Sequence, residues 1–249
     1  MEIKDLSVEL DIAKKAAIES GKLLLQKKIE LNKSLKVIQK DTKLLADVES
    51  ENLIKEIIVT KSQYPILAEE TGKSADDLGD TFWVIDPLDG TANYNRGIPI
   101  CCVSIGLVKN MKPVLGVIYD FNNDEIYTGD KFSNISSMND EPIRVSNKEK
   151  KDDSILVTGL PHHTDYSNES LDKMIKDMQT WKKVRMIGSA AIASCYIASG
   201  KAEMYKENGI YLWDIIAGAA IVESAGGTAE ILNLKNNFQV DVVFTNSKI

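Results

Sequence analysis

Leu10, Ala13, Ala17, Leu24 and Leu25 recur at helical spacing through residues 7–29, with Lys and Glu between them, which predicts an amphipathic helix. A second helix is predicted over 48–61, where Leu53, Ile54, Ile57 and Ile58 share one side and Asp47 stands in the place of an N-cap. From Tyr64 the period changes. Pro65-Ile66-Leu67-Ala68 and Phe82-Trp83-Val84-Ile85 are short apolar runs bounded by turn residues, as buried strands are. Segments 103–108, 114–119 and 125–128 follow with short polar links and predict an antiparallel meander. Residues 138–153 are polar and read as loops outside the core. The second half alternates: helix 171–178, strand 184–187, a small-residue helix 189–199 ended by Gly200, and strand 202–205. An almost wholly apolar helix 214–225, closed by Gly226-Gly227, and a last strand 242–245 complete it. This pattern is α/β, with mixed layers of helix and sheet. No linker stands out, so 1–249 reads as a single domain of two closely packed halves, about 1–140 and 141–249.

Composition narrows the partners. At 249 residues the chain can bury a large core, and 43% apolar with 27% charged residues is ordinary for a globular protein. A formal charge of −7 argues against a nucleic-acid footprint, which needs clustered Lys and Arg. It leaves an anionic substrate open, because a bound cation reverses the local field. Cys101, Cys102 and Cys195 have neither disulfide nor zinc spacing and read as reduced, buried thiols. Glu2, Lys4, Asp5, Glu9 and Asp11 rule out a signal-peptide core at the N-terminus, and no apolar stretch is long enough for a bilayer. The expectation is a cytoplasmic protein with no membrane or nucleic-acid partner.

Candidate chemistry centres on Trp83-Val-Ile-Asp86-Pro-Leu-Asp89-Gly-Thr91. An apolar strand runs into two carboxylates three residues apart, with Pro87 forcing a turn between them. Gly90 and Thr91 then open a short helix or turn whose backbone N–H groups suit an anion. Carboxylates beside a phosphate cradle repel the phosphate unless a divalent cation lies between, and hard Mg²⁺ takes oxygen ligands. Each acid also has a plainer reading. Asp86 and Asp89 suit a turn after a strand, Asp47 and Asp214 suit N-caps, and Glu69 and Glu70 suit a solvated loop. His162-His163 belongs to no motif and reads as surface or structural.

Three blocks resemble the inositol monophosphatase family of lithium-sensitive, magnesium-dependent phosphatases. They are Ala68-Glu69-Glu70, the run from Trp83 through Asp86 and Asp89 to Asn93, and Trp213-Asp214 through Ala217 to Glu223-Ser-Ala-Gly-Gly227. Asp47-Val-Glu-Ser-Glu51 is a weaker fourth. The resemblance implies the layered α-β-α-β-α sandwich of inositol monophosphatase and fructose-1,6-bisphosphatase. It implies one Mg²⁺ held by Glu69, Asp86 and the Leu88 carbonyl, and a second by Asp86, Asp89 and Asp214. A third, weaker ion would sit by Glu69. Gly90 and Thr91 amides would bind phosphate, and Thr91, bonded to Asp47, would orient a water as nucleophile. A homodimer is implied as well. Two departures stand out: Lys43-Leu-Leu-Ala-Asp47 lacks the Thr usual before that acid, and Ala68 replaces a more usual Gly.

Substrate class follows from the same resemblance. Ala92-Asn93-Tyr94, then Gly97-Ile98-Pro99, continue as inositol monophosphatases do, where bisphosphate nucleotidases carry Lys and Glu. Glu207, in Glu207-Asn-Gly-Ile-Tyr-Leu-Trp-Asp214, matches a Glu that binds substrate hydroxyls, and Gly188, Ser189 and Ala191 fall in a segment whose backbone contacts the ring. For Glu207 alone, a solvated charge beside Lys206 competes. The expected substrate is a small phosphorylated polyol or sugar. A 3′(2′),5′-bisphosphate nucleotidase, another sugar or metabolite phosphatase, and a non-catalytic regulatory binding protein are the alternatives.

Overall fold

The computed structural model describes residues 5–38, 41–160 and 164–249, so His162-His163 lies outside the described residues. Helix α1 (Ser7–Gln26) stops three residues before the predicted end, and a single turn, α2 (Lys28–Leu31), follows. A hairpin that the polar sequence did not announce, β1 (Ser34–Ile38) and β2 (Asp41–Leu44), leads into α3 (Leu45–Val59). The first half continues with β3 (Ile66–Ala68), β4 (Gly72–Lys73), β5 (Thr81–Asp89), α4 (Thr91–Arg96), β6 (Cys102–Lys109), β7 (Lys112–Asp120), β8 (Glu125–Asp130), β9 (Ile135–Met138) and β10 (Glu141–Pro142). The second half holds β11 (Ile155–Thr158), α5 (Asn168–Met178), β12 (Lys183–Met186), α6 (Ala190–Ala198), β13 (Met204–Tyr211), α7 (Leu212–Ser224), β14 (Thr228–Leu232) and β15 (Gln239–Thr245).

These elements stack in layers. An eight-stranded sheet runs β10-β9-β8-β7-β6-β5-β3-β4, antiparallel except where β3 meets β5. Ile12, Ala16 and Leu24 of α1 and Ile54 and Ile58 of α3 cover one face, against Trp83, Ile85, Val103 and Val117. The other face packs on α6 and α7 through Val84, Cys102 and Ile118, with Ile192, Cys195, Ile216 and Ile221 opposite. Below those helices lies a five-stranded sheet, β12-β11-β13-β15-β14, whose Val157, Tyr205, Val242 and Phe244 join the same core. On its outer side, Asp177 of α5 pairs with Lys206 of β13 and with Lys151. The predicted meander and mixed α/β layering are present. The 138–153 segment is not all outside the core, since Ile143 and Val145 pack against it.

One feature sets how deep α7 sits. Gly106, Gly116 and Gly129 lie side by side across β6, β7 and β8. A methyl at Gly116 would stand 2.1 Å from the Ala217 carbonyl oxygen, and one at Gly129 2.4 Å from the Ile221 Cα. The row of glycines lets the helix backbone rest on the sheet, and so fixes the level at which Asp214 leaves the first turn of α7.

Candidate active site

Strand β5 delivers two acids to one end of the large sheet. The strand does not stop at Pro87, as its sequence suggests. It continues to Asp89 through a bulge, with Asp86 opposite Ser104 and Asp89 opposite Cys102, so the intervening Pro87 and Leu88 are squeezed out of register. The bulge leaves Asp89 facing the start of α6 and Asp86 folded back on its own loop. Gly90 follows with a left-handed φ of 88°, and its Cβ position is occupied by the Ile100 carbonyl 2.8 Å away, so a side chain there is excluded twice. Thr91 then begins α4.

Asp47 and Asp214 are not N-caps. Each is the third residue of its helix and accepts the backbone N–H of the residue before the helix: Leu44 to Asp47 Oδ2 at 2.6 Å, Tyr211 to Asp214 Oδ2 at 2.8 Å. This is half of a capping box, and it holds each carboxylate at a helix start. The second oxygen of Asp47 receives the Thr91 hydroxyl at 3.2 Å, and Thr91 Oγ1 is also 3.0 Å from the Leu88 carbonyl. Burial pushes Asp47 up to about 6, against the pull of the Leu44 amide and Thr91.

Asp86 is buried, with its Oδ1 accepting the Leu88 N–H at 3.0 Å. Its proton affinity is raised well above the ordinary carboxylate range by burial, then by the charges of Glu69, Asp89 and Asp214. Those acids come from separate elements: Glu69 follows β3 and ties its amide to the Ile85 carbonyl at 3.1 Å, and Asp214 opens α7. Asp89 is raised by burial too, offset by donors from the start of α6: the Ser189 hydroxyl, the Ala191 amide at 2.9 Å and the Ala190 amide at 3.3 Å. Ser189 and Ala191 therefore direct their donors to Asp89. Gly188 sits just before them with φ 72°, against the Asn93 amide, which donates to the carbonyls of Ile100 and Ile187, both at 2.8 Å. Asn93 thus staples α4 to the segment that grips Asp89. Its role was hidden in the sequence because only the fold brings residue 187 to it.

All of these side-chain donors are oxygen, the set that a hard divalent cation takes. Among the described residues no three acidic, His or Cys side chains stand as a finished cage. Asp89 is turned to α6 and Asp86 to its own loop, so the donors are gathered but not drawn in around a centre.

Glu207 lies in β13, on the same side of the strand as Tyr205, whose hydroxyl donates to Glu207 Oε2 at 3.0 Å. It is half-buried rather than a solvated charge, and burial pushes its carboxyl up to about 7. Gly159 abuts it, with no room for a methyl against the carboxylate. Glu207 helps to line a cavity of about 550 Å³ with Thr158, Lys206, Asn208, Lys235 and Asp241. None of Glu69, Asp86, Asp89 and Asp214 lines it, so Glu207 stands apart from the metal-type acids, with Asp89 near enough to raise it further.

A family model for the inositol monophosphatase family matches residues 5–245. The chain is similar to an inositol monophosphatase structure from Anabaena (Nostoc), with TM-score 0.85 and 35% identity over 98% of this chain and 92% of that one. It is 36% identical over 225 residues to a protein of Xylella fastidiosa called Nus factor SuhB, covering 88% of this chain and 80% of the other. Inositol monophosphatase 1 of Bos taurus is 31% identical over 230 residues, 88% and 81% of the two chains.

Proposed function

We propose, for a chain that belongs to the inositol monophosphatase family, that its substrate is the monophosphate of a small polyol, inositol 1-phosphate foremost. Membership makes it a phosphoric monoester hydrolase of a metal-dependent family that acts on phosphorylated sugars and polyols. The observation that carries this reading is the gathering of Glu69, Asp89 and Asp214, from three separate segments, around the buried Asp86 carboxylate. Glu69, Asp86 and the Leu88 carbonyl would hold one Mg²⁺, and Asp86, Asp89 and Asp214 a second, and a weaker third would sit by Glu69. When bound, the ions supply charge neutralisation for the phosphoryl oxygens and acidify water.

The chain's own part is positional and acid–base. Thr91 Oγ1 accepts from a water and passes its own proton to Asp47 Oδ1, so the water attacks phosphorus as its proton leaves. An Asp47 held near 6 is ionised at neutral pH yet basic enough to take that proton. The alkoxide released on P–O cleavage takes a proton from solvent. Gly90 and Thr91, at the turn into α4, offer backbone N–H groups to the phosphate. Glu207, once ionised, accepts hydrogen bonds from vicinal hydroxyls; Ser189 and Ala191 fix Asp89, and the backbone of Gly188, Ser189 and Ala191 would contact the ring. Lithium inhibition and a homodimer accompany the reading, and 1–249 acts as one unit. Among the described residues no helix is long and apolar enough to cross a membrane.

Phosphate release from a panel of inositol 1-phosphate, fructose 1,6-bisphosphate and adenosine 3′,5′-bisphosphate tests this directly. The reading expects the highest kcat/KM for inositol 1-phosphate. A preference for the adenosine bisphosphate moves the protein to the nucleotidase alternative, and turnover of none of them favours a non-catalytic role.

A further inference from the structure

We propose that Ser50 and Glu51 of α3 are positioning residues that set the affinity of the acidic site for its divalent cation. The inference rests on the reading of Glu69, Asp86 and Leu88 as the ligands. Asp47, Ser50 and Glu51 are three and four residues apart, so they share one face of the helix. Each grips a different piece of the site. Asp47 holds Thr91. Ser50 donates to the Pro87 carbonyl at 2.7 Å, inside the bulge between Asp86 and Leu88, and Ser20 Oγ lies 2.6 Å behind it. Glu51 Oε2 accepts the Glu70 amide at 2.8 Å and Oε1 the Thr71 hydroxyl at 2.6 Å, which pins the turn that carries Glu69. Lys55 closes the group, 2.9 Å from Thr71 Oγ1 and 3.6 Å from Glu51 Oε1.

Ser50 and Glu51 are both 0% exposed. A fully buried carboxylate is costly unless its oxygens are satisfied, and here the 70–71 turn and Lys55 satisfy them. The turn therefore cannot drift without stranding a buried charge. One rigid helix face thereby adds to the β3–β5 pairing in setting the spacing between the Glu69 turn and the Asp86 bulge, the two segments that must meet on a shared ion. The sheet holds Glu69 by its amide on the Ile85 carbonyl and closes the turn where Ala68 pairs with Gly72, and Glu51 holds Glu70 and Thr71 between them.

The test measures binding of Mn²⁺ to the substrate-free, full-length enzyme by titration calorimetry. Wild type is compared with Glu51→Gln, Ser50→Ala, Thr71→Val and the Glu51→Gln/Thr71→Val pair. Glu51→Gln should weaken Kd about tenfold, the worth of one charge-assisted bond. Thr71→Val should weaken it a few-fold, and the pair no more than Glu51→Gln alone, because both changes break one contact. The kcat at saturating Mg²⁺ should stay within about threefold, since the ligands themselves are intact. Unchanged Kd in Glu51→Gln and Thr71→Val overturns the inference, as does a fall in kcat at saturating metal with Kd unmoved. If Glu51→Gln fails to fold, Thr71→Val decides, because Thr71 is on an exposed turn. A wild type that binds no Mn²⁺ sinks the metal reading itself; normal wild-type binding with indifferent variants sinks only this inference.

Discussion

Glu207 gives the folded protein a pH-dependent cost that can be isolated by one substitution. Its carboxyl is lifted from an ordinary 4.5 to about 7, first by burial and further by the charge of Asp89, with Tyr205 opposing. Between those values the native protein keeps a proton that the unfolded chain has released. The unfolded state then binds fewer protons than the native state, so stability falls as pH rises through this window and levels off above 7. For a shift of this size, the loss between pH 5 and pH 8 is about 2 kcal/mol. Glu207→Gln removes the titration while leaving a carbonyl for the Tyr205 hydroxyl to donate to. The other carboxylates are common to both proteins and cancel in the difference. Urea unfolding of wild type and variant in EDTA, at pH 5, 6, 7 and 8, should show the variant gaining about 2 kcal/mol on wild type across the series. A difference that stays flat with pH would mean that Glu207 is solvated and its placement in the cavity wall is wrong.

Asp86→Asn should abolish turnover while leaving the metal-free protein as stable or more stable, because it removes the most crowded charge of the acid group; urea unfolding in EDTA and a phosphate-release assay check the two halves. With Mg²⁺ bound, kcat should fall on the acid side as Asp47 takes up its proton and ceases to act as a base, at a pH below the metal-free value of about 6 because nearby cations favour the carboxylate; an Asp47→Asn variant that keeps the wild-type kcat would remove Asp47 from that role. Gly116→Ala should cost about 3 kcal/mol or more, since a methyl meets the α7 backbone rather than a movable side chain; chemical denaturation measures it, and a neutral result would mean that α7 is free to lift.

The helices α1 and α3 and the β6-β7-β8 meander are legible because their apolar spacing is regular and their links polar, and α6 and α7 because long small or apolar runs end at Gly200 and Gly226-Gly227. The strands β1, β2 and β14 are four or five residues long with at least two polar side chains each, too short for a period of two to stand out from loop sequence. The sequence announces β13 only as far as Tyr205. Glu207-Asn208-Gly209 looks like a turn, and the ladder with β15 absorbs it through a bulge between Asn208 and Ile210. Likewise Asp47 and Asp214 look like caps in sequence, and only the positions of Leu44 and Tyr211 show them as third residues. The acids themselves were readable as a group through their motifs. The residues that hold them act at a distance along the chain, Glu51 across 19 residues, Ser50 across 37 and Asn93 across 94, and the glycine row under α7 acts through close contact, which no local pattern encodes.

Phosphate release from inositol 1-phosphate, followed in saturating Mg²⁺ and again in excess EDTA on the same sample, tests the central claim most directly. The account predicts turnover with Mg²⁺, none in EDTA, and full recovery when Mg²⁺ is restored. Equal turnover in EDTA would contradict it, because the gathered carboxylates would then be repelling the phosphate rather than bridging to it.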